Sequence, residues 1–358
     1  MPPHWSENTF REIVSGRRRG AGAMLARSVL RLAEVPYTAA VSWRNRRFDR
    51  AHGAVERVNV PVVSVGNLTM GGTGKTPMVK WIARYFAAQG VSVALVSRGY
   101  GAVTNGKNDE AMELEQALPD VPHVQHPDRV AGAEEAIRRF GSQLILLDDG
   151  FQHRHLARDL DIVLLDASAP FGFDHVFPRG MLREPARGLE RAHVVCLTRA
   201  DGISAPQRAA IRQQVAAIAP HAAWCEAIHA PSQLRNLAGQ SRPIDSLAGR
   251  RIAACCAIGN PAAFRRTLES QGAEIVFWRE FPDHHTYNRA DCEALAAAID
   301  ASGAELSVVT HKDLVKLPFD RLGTTPLWTL IIEMQLTVGE QELQRALERV
   351  LPTNLTAS

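Results

Sequence analysis

Between Val60 and Thr76 the chain reads VPVVSVGNLTMGGTGKT, an apolar run suited to a buried strand, a glycine-dense turn, and Lys75 and Thr76 opening a helical pattern. Such a segment can cradle phosphate. Because Gly71, Gly72 and Gly74 carry no side chain, successive backbone N–H groups can converge on one anion. Lys75 adds a mobile cation, Thr76 offers a hydroxyl to Mg2+, and the helix that follows points its positive end at the same place. The candidate nucleotide-binding residues are Thr69, Met70, Gly71, Gly72, Thr73, Gly74, Lys75 and Thr76. Thr69 stands where the G-x-x-x-x-G-K-[ST] pattern has its first glycine, so the loop is a deviant Walker A.

A second chemical element lies at residues 143–167. Leu144 to Leu147 form a short apolar strand that ends in Asp148 and Asp149, the position from which a Walker B strand delivers carboxylate to Mg2+. Since Mg2+ keeps several waters and takes one or two protein carboxylates, the pair suffices; the spacing leaves open which of the two makes the direct contact. Asp159 and Asp161 precede another apolar run, Ile162 to Leu165, and read as capping or turn residues, while His153 and His155 have no metal partner in the pattern. After Val194 to Leu197, Thr198-Arg199-Ala200-Asp201 is similar to the [NT]-K-x-D element that reads guanine in some P-loop proteins. A GTPase switch, regulatory or for metal delivery, is therefore an alternative. Met70 occupies the place of the extra lysine in ATPases that dimerise across the nucleotide, which argues against that mechanism.

These groups need a scaffold. Met78, Trp81, Ile82, Tyr85 and Phe86 recur at helical spacing, Pro77 sits in the first turn where its missing N–H is harmless, and Gly90 can end the helix. Val91 to Val96 then reads as a second buried strand, and strand–helix–strand implies a parallel sheet. The helix aromatics read as core. At 358 residues the chain exceeds what one core usually supports. A Pro- and Gly-marked stretch from Pro231 to Gly249 separates a second lobe: strand Arg251–Ile258, part of a helix over Phe264–Ser270, strand Ile275–Trp278, helix Ala290–Ile299 and strand Ser307–Thr310. Trp328–Leu336 and a helix over Glu340–Val350 complete that lobe or return to the first. The fold class is thus α/β: a P-loop parallel-sheet domain over 51–238, a smaller α/β domain over 239–358 that closes a cleft, and an amphipathic segment over 1–50.

The net charge of +3 conceals an asymmetry, for the first fifty residues carry ten arginines against Glu7, Glu12, Glu34 and Asp49. The remainder is slightly acidic, which argues against a nucleic-acid surface. Five cysteines form no C-x-x-C pair, as suits a reducing compartment, and no run approaches the ~18 apolar residues of a spanning helix. From Gly20 to Pro36, Leu25, Val29 and Leu32 share one helical face and Arg27, Arg31 and Glu34 the opposite one. Beyond Pro36, Tyr37, Val41, Trp43 and Phe48 alternate irregularly with Arg44, Arg46, Arg47 and Arg50. Two readings fit: a helix lying in an anionic headgroup layer, or one packed on the protein with a solvated basic face.

Further motifs give a resemblance. Ser97-Arg98-Gly99-Tyr100-Gly101, Asp148-Asp149-Gly150-Phe151-Gln152-His153, Phe177-Pro178-Arg179-Gly180-Met181-Leu182-Arg183-Glu184-Pro185, Asp283-His284-His285 and Thr310-His311-Lys312-Asp313 follow GNLTMGGTGKTP in order. The chain resembles the tetraacyldisaccharide 4'-kinase family over about residues 20–320. Where the family usually has Thr-Glu-Lys-Asp this sequence has THKD, and its RGYG lies a short interval from Asn108-Asp109-Glu110-Ala111. The resemblance implies ATP and Mg2+, and transfer of the γ-phosphate to the 4'-hydroxyl of an acylated disaccharide 1-phosphate. It also implies a peripheral site on the cytoplasmic face of the inner membrane, with no obligate protein partner, and it favours the membrane reading of the N-terminal helix. By the same resemblance Asp109 and His284 act together as base; phosphoryl-transfer chemistry makes Arg183 a candidate further positive contact for substrate or phosphoryl group, with a surface ion pair to Glu184 as the alternative. Asp283 and His285 are structural neighbours. A nonenzymatic membrane-associated nucleotide sensor is a further alternative; it would leave the FPRGMLREP and DHH stretches without a role.

Overall fold

The computed structural model describes residues 7–50, 55–99, 109–283, 285–317 and 319–352. Two compact units divide the chain discontinuously: residues 1–99, 118–228 and 335–358 form the first, and 100–117 with 229–334 the second. Helices α1 (Glu7–Val14) and α2 (Ala21–Arg50) lead into β1 (Val62–Asn67), α3 (Lys75–Ala88) and β2 (Val93–Ser97). The helix α4 (Asp109–Ala117) belongs to the second unit. The chain then returns to the first with β3 (His123–Gln125), α5 (Arg129–Phe140), β4 (Leu144–Asp148), β5 (Leu160–Asp166), β6 (Val194–Thr198), α6 (Ala205–Ile218) and the start of β7 (Ala223–Arg235).

In the first unit the strand order is β7-β6-β5-β1-β4-β2-β3, and every neighbouring pair is parallel. Strands β1, β2, β4, β5 and β6 are buried at every position, which is why they read as unbroken apolar runs rather than alternating ones. On α3 the buried side is Met78, Val79, Ile82, Ala83 and Phe86, whereas Trp81 and Tyr85 are half-buried and stack on each other at 5.7 Å instead of joining the core. Strand β1 lies between β5 and β4, and Val65 pairs with Asp148. The loops after β1 and β4 therefore leave the same sheet end side by side, where α/β sheets bind ligands.

The second unit contains β8 (Ser241–Pro243), β9 (Arg251–Cys256), α7 (Pro261–Ser270), β10 (Glu274–Glu280), α8 (Arg289–Ser302), β11 (Leu306–Thr310), the short α9 (His311–Leu314), β12 (Arg321–Leu322) and most of β13 (Thr325–Val338). Its order is β10-β9-β11-β13, again parallel, with β12 antiparallel on β13 and β8 antiparallel on the end of β7. Leu234, Ile252, Phe264, Leu268, Val308 and Trp328 form one side of its core. The end of β13 and α10 (Glu340–Glu348) fold with the first unit.

Helix α2 continues through Pro36 for 30 residues, although the sequence beyond Pro36 lacks a clean helical period. Proline costs the helix one backbone bond. Side-chain anchors offset it: Tyr37 donates to the Arg183 carbonyl at 3.3 Å, Asn45 to the Glu184 carboxylate at 2.7 Å, and Arg154 to the Asn45 carbonyl at 2.9 Å. Helix α2 buries Ala23, Leu30 and Val41 yet also exposes large apolar side chains. Leu25, Leu32 and Trp43 are 68, 74 and 67% exposed, while Glu34 on the opposite face is buried and accepts from the Val176 N–H. Among the described residues no helix is long and apolar enough to cross a membrane.

A close approach ties β1 to the segment after β4. A Cβ on Gly66 would lie 2.6 Å from the Cβ and 2.8 Å from the backbone nitrogen of Phe151. Gly66→Ala should therefore destabilise the chain by about 1–3 kcal/mol, the usual cost of overpacking a filled core. Thermal melting checks this, and a variant melting with the parent would mean that this contact carries no strain.

Candidate active site

The loop between β1 and α3 begins with Asn67, whose buried amide donates to the Thr69 carbonyl at 2.8 Å. It ends on Gly74, at φ 88°, a left-handed conformation that glycine adopts without strain. Helix α3 starts at once with Lys75, so its free first-turn N–H groups face the loop. Gly71 and Gly72 are exposed, whereas Thr73 is 2% exposed and its Oγ1 finds no hydrogen-bond partner among the described residues.

The flanking motif lies directly on this loop. Met70 N–H donates to the Met181 carbonyl at 2.8 Å and Arg183 N–H to the Leu68 carbonyl at 2.7 Å, with Thr69 bridged to Leu182 between them. The FPRGMLREP stretch thus forms a short seam with the approach to the P-loop, and the seam carries Arg183 to Asp149. Arg183 Nη1 is 2.8 Å from both Asp149 oxygens, and Lys75 Nζ is 3.6 Å from one of them. Asp149 has φ 54°, a turn conformation that Asp tolerates better than most residues. Burial would raise its pKa, yet the cations of Lys75 and Arg183 outweigh burial, so the carboxylate is held below its ordinary range. Asp148, 7% exposed at the end of β4, and Thr76 in the first turn of α3 offer hard oxygen donors. Among the described residues no group of three or more His, Cys, Asp or Glu could hold a metal. That donor set fits Mg2+, whose other positions go to water and phosphate oxygens, rather than an ion needing a full protein cage.

Several residues of this centre take places that the motifs do not announce. Glu184, with no exposure, pairs with Arg191 at 2.9 Å rather than with its neighbour Arg183, and also accepts from Asn45 at 2.7 Å and Gln152 at 3.1 Å. Arg191 lies over the Phe151 ring at 4.6 Å. Arg129, 3% exposed at the start of α5, donates to the carbonyls of His126 and Pro127 and sets a positive charge toward Asp149 and Asp148. The Thr198-Arg199 element supports the loop. Thr198 Oγ1 donates to the Thr73 carbonyl at 2.8 Å, and Arg199 Nη2 to the Gly72 carbonyl at 3.0 Å while its other nitrogen pairs with Asp166. Both side chains are engaged by the P-loop backbone.

The second unit holds the remaining motifs. His284 and the Asp109 side chain lie outside the described residues, and the backbone of Asp109 begins α4. Of their neighbours, His285 stacks on Phe281 at 4.8 Å and pairs with Asp291 at 2.9 Å, and its carbonyl accepts from Lys316 at 3.4 Å. Asp313 of THKD has no exposure; it accepts from the Ala257 N–H at 3.1 Å, from Tyr287 at 2.9 Å and from Thr310 at 2.5 Å. Burial pushes the Asp313 carboxyl up, and burial together with the Asp313 charge pushes the Tyr287 phenol far up. His311 lies 3.7 Å from Glu113 of α4.

His153 follows the Walker B pair closely. Burial, reinforced by the charge of Arg129, lowers its pKa from 6.5 to about 4. In the unfolded chain the ring takes up a proton near its ordinary value, so between pH 6.5 and about 4 the unfolded state binds a proton that the folded state refuses. Stability contributed by the neutral ring is present above that window and is lost as pH falls through it. His153→Gln should therefore lose less melting temperature than the parent between about pH 7 and about pH 4.5, and equal losses would mean that His153 titrates normally.

Residues 26–352 match the tetraacyldisaccharide-1-P 4'-kinase family. The tetraacyldisaccharide 4'-kinase of Anaeromyxobacter sp. (strain K) is 39% identical over 353 residues, 93% of each chain. That of Geobacter metallireducens is 38% identical over 349 residues, 91% of this chain and 99% of the relative. The crystal structure of LpxK from Aquifex aeolicus in complex with ATP aligns with a TM-score of 0.74 at 27% identity, covering 91% of this chain and 99% of that one. With the seam, the P-loop and the carboxylate pair in place along a match of this extent, the chain belongs to the tetraacyldisaccharide-1-P 4'-kinase family.

Proposed function

We propose that the chain is a lipid kinase that transfers the γ-phosphate of ATP to the 4'-hydroxyl of a tetraacyldisaccharide 1-phosphate, forming lipid IVA in lipid A biosynthesis. The observation that carries this reading is the convergence of Lys75 and Arg183 on Asp149 beside a P-loop, in a chain of this family. The loop amides and the α3 N-terminus take the β- and γ-phosphates, and Lys75 exchanges Asp149 for phosphate oxygens when nucleotide enters. Asp148 and Thr76 would hold Mg2+, which neutralises charge on the phosphates. The sugar oxygen attacks the γ-phosphorus in line, the bond to the β-phosphate oxygen breaks, ADP leaves, and the hydroxyl proton passes to His284, oriented by Asp109. Arg183, released or shared by Asp149, supplies further positive charge as the equatorial oxygens gain density.

The exposed apolar face of α2 supports a peripheral position on the cytoplasmic face of the inner membrane, where the acylated substrate resides. Leu25, Val29, Leu32 and Trp43 would enter the acyl boundary, with the arginines at the headgroups. Residues 1–50 then serve docking, 51–238 nucleotide chemistry, and 239–358 the acid–base residue His284.

Incubation with radiolabelled ATP and the acylated disaccharide 1-phosphate should yield a newly bis-phosphorylated lipid on chromatography. Lys75→Ala should lower turnover by at least about 10²-fold with an unchanged circular dichroism spectrum, because it removes a cation aimed at the transferring group. Near-normal turnover in that variant would overturn the P-loop assignment, and acceptor-independent GTP hydrolysis without lipid product would replace the kinase by a GTPase.

Docking has its own test. Phe10, Ile13, Val14 and Leu30 pack with Met181, so truncation would open a core, whereas Leu25, Val29 and Leu32 are exposed. Leu25→Gln, Val29→Gln and Leu32→Gln together should leave the melting temperature nearly unchanged and reduce sedimentation with anionic vesicles. Raising salt should weaken vesicle binding of the parent by screening its arginines. Equal vesicle binding of parent and triple variant would remove α2 from the membrane.

A further inference from the structure

The inward face of α2 has contacts that neither docking nor nucleotide binding accounts for. Asn45 donates to Glu184 Oε2 at 2.7 Å, and Tyr37 donates to the backbone carbonyl of Arg183 at 3.3 Å. The same helical stretch holds the segment after β4: Arg154 reaches the Asn45 carbonyl at 2.9 Å and Asp49 at 2.6 Å, and the Phe48 ring meets His155 edge-on at 4.8 Å. Residues 37–49 of α2 thus grip both chain segments whose side chains form the Asp149–Arg183 pair.

A continuous chain of hydrogen bonds runs inward from Asn45. Glu184, fully buried, accepts from Asn45, Arg191 and the amide nitrogen of Gln152. That fixes the amide of Gln152, whose nitrogen also donates to the Asn67 carbonyl at 2.9 Å at the root of the P-loop. The Gln152 oxygen is left facing Arg183 at 3.4 Å, and Arg183 spans both oxygens of Asp149 at 2.8 Å. Each group along this line has its hydrogen-bonding sense set by the one before it. A buried carboxylate tolerates few ways of meeting its donors, so loss of the Asn45 amide would be repaired by movement of Gln152 or Arg191.

We propose that Asn45 of α2 is a positioning residue for phosphoryl transfer, acting through Glu184 and Gln152 to set Arg183 against Asp149. Helix α2 is then two-sided in function: its exposed face meets a surface and its inward face aligns the cation beside the P-loop. The proposal rests on the reading of Lys75, Asp149 and Arg183 as phosphate-side machinery.

The test uses the full chain in detergent micelles, with ATP and the acylated disaccharide 1-phosphate. Asn45→Leu and Asn45→Asp, near-isosteric losses of the donor, should lower kcat about ten- to hundredfold, as expected for an ångström-scale misplacement of a catalytic group, with the KM for ATP changed little. On an Arg183→Ala background Asn45→Leu should cause no further loss, because the two act along one line. The paired exchange Asn45→Asp with Glu184→Gln reverses the sense of the hydrogen bond and should recover most of the rate lost by Asn45→Asp alone. Full kcat in both single variants, or losses that multiply with Arg183→Ala, would overturn the proposal. If Arg183→Ala itself keeps parental turnover, the reading of the site fails first. If Asn45→Asp proves unstable by thermal melting, Asn45→Leu and its cycle with Arg183→Ala decide the question.

Discussion

Glu184 has no solvent exposure, and a buried carboxylate costs several kcal/mol unless donors meet it from every side. Its donors come from three places far apart in sequence: Asn45 on α2, Gln152 after the Walker B pair, and Arg191 beyond the FPRGMLREP stretch. Satisfying that one charge requires all three segments to be in place together. Two of them hold the groups proposed to face phosphate: Gln152 follows Asp149, and Glu184 itself follows Arg183. The geometry of the P-loop surroundings is thus fixed by a charge that need not touch substrate.

Local features are legible in the amino-acid pattern alone. The P-loop, the strands over Leu144–Asp148 and Val194–Thr198, and the strand–helix alternation over Arg251–Thr310 lie where periodicity and turn residues put them, with ends shifted by up to three residues. Such elements announce themselves because burial and backbone conformation act within a few residues. What periodicity does not give is pairing across the sequence. Arg199 resembles a base-reading residue in its local pattern, yet its guanidinium is bound to Gly72 and Asp166, and that depends on β5 and β6 lying beside each other. Arg129 sits after an N-capping Asp128 that signals only a helix start, and its relation to the Walker B carboxylates needs the order β4-β2-β3. The ending of β7 past Pro231 and the extension of α2 past Pro36 are hidden for the same reason: tertiary anchors override a local breaker.

Helix α2 shows how an amphipathic pattern can mislead about its own inner side. The usual inference places the apolar face against the protein. Here Glu34, Tyr37 and Asn45 face inward beside the buried Ala23, Leu30 and Val41, because the surface they meet is a motif-rich loop with carbonyls and charges to satisfy, while Leu25, Val29 and Leu32 remain outside. The helix is thus held by directional bonds as well as by its buried apolar residues, and its exposed leucines contribute to neither.

The second unit applies the same device to the segment around His284. Asp313 is buried with Tyr287, Thr310 and the Ala257 amide as donors, and Lys316 reaches the His285 carbonyl. The residues flanking position 284 are therefore tied to β9, β11 and α9 at once. His311 adds a contact to Glu113, one turn along α4 from Asp109, so that a single stretch, Thr310 to Lys316, touches both segments proposed to carry the acid–base pair. Neutral hydrogen bonds from a phenol and a hydroxyl to a buried carboxylate stiffen the described segment that carries them. On this argument the aspartate of THKD has a structural duty that explains its burial, holding Tyr287, Thr310 and the Ala257 amide together.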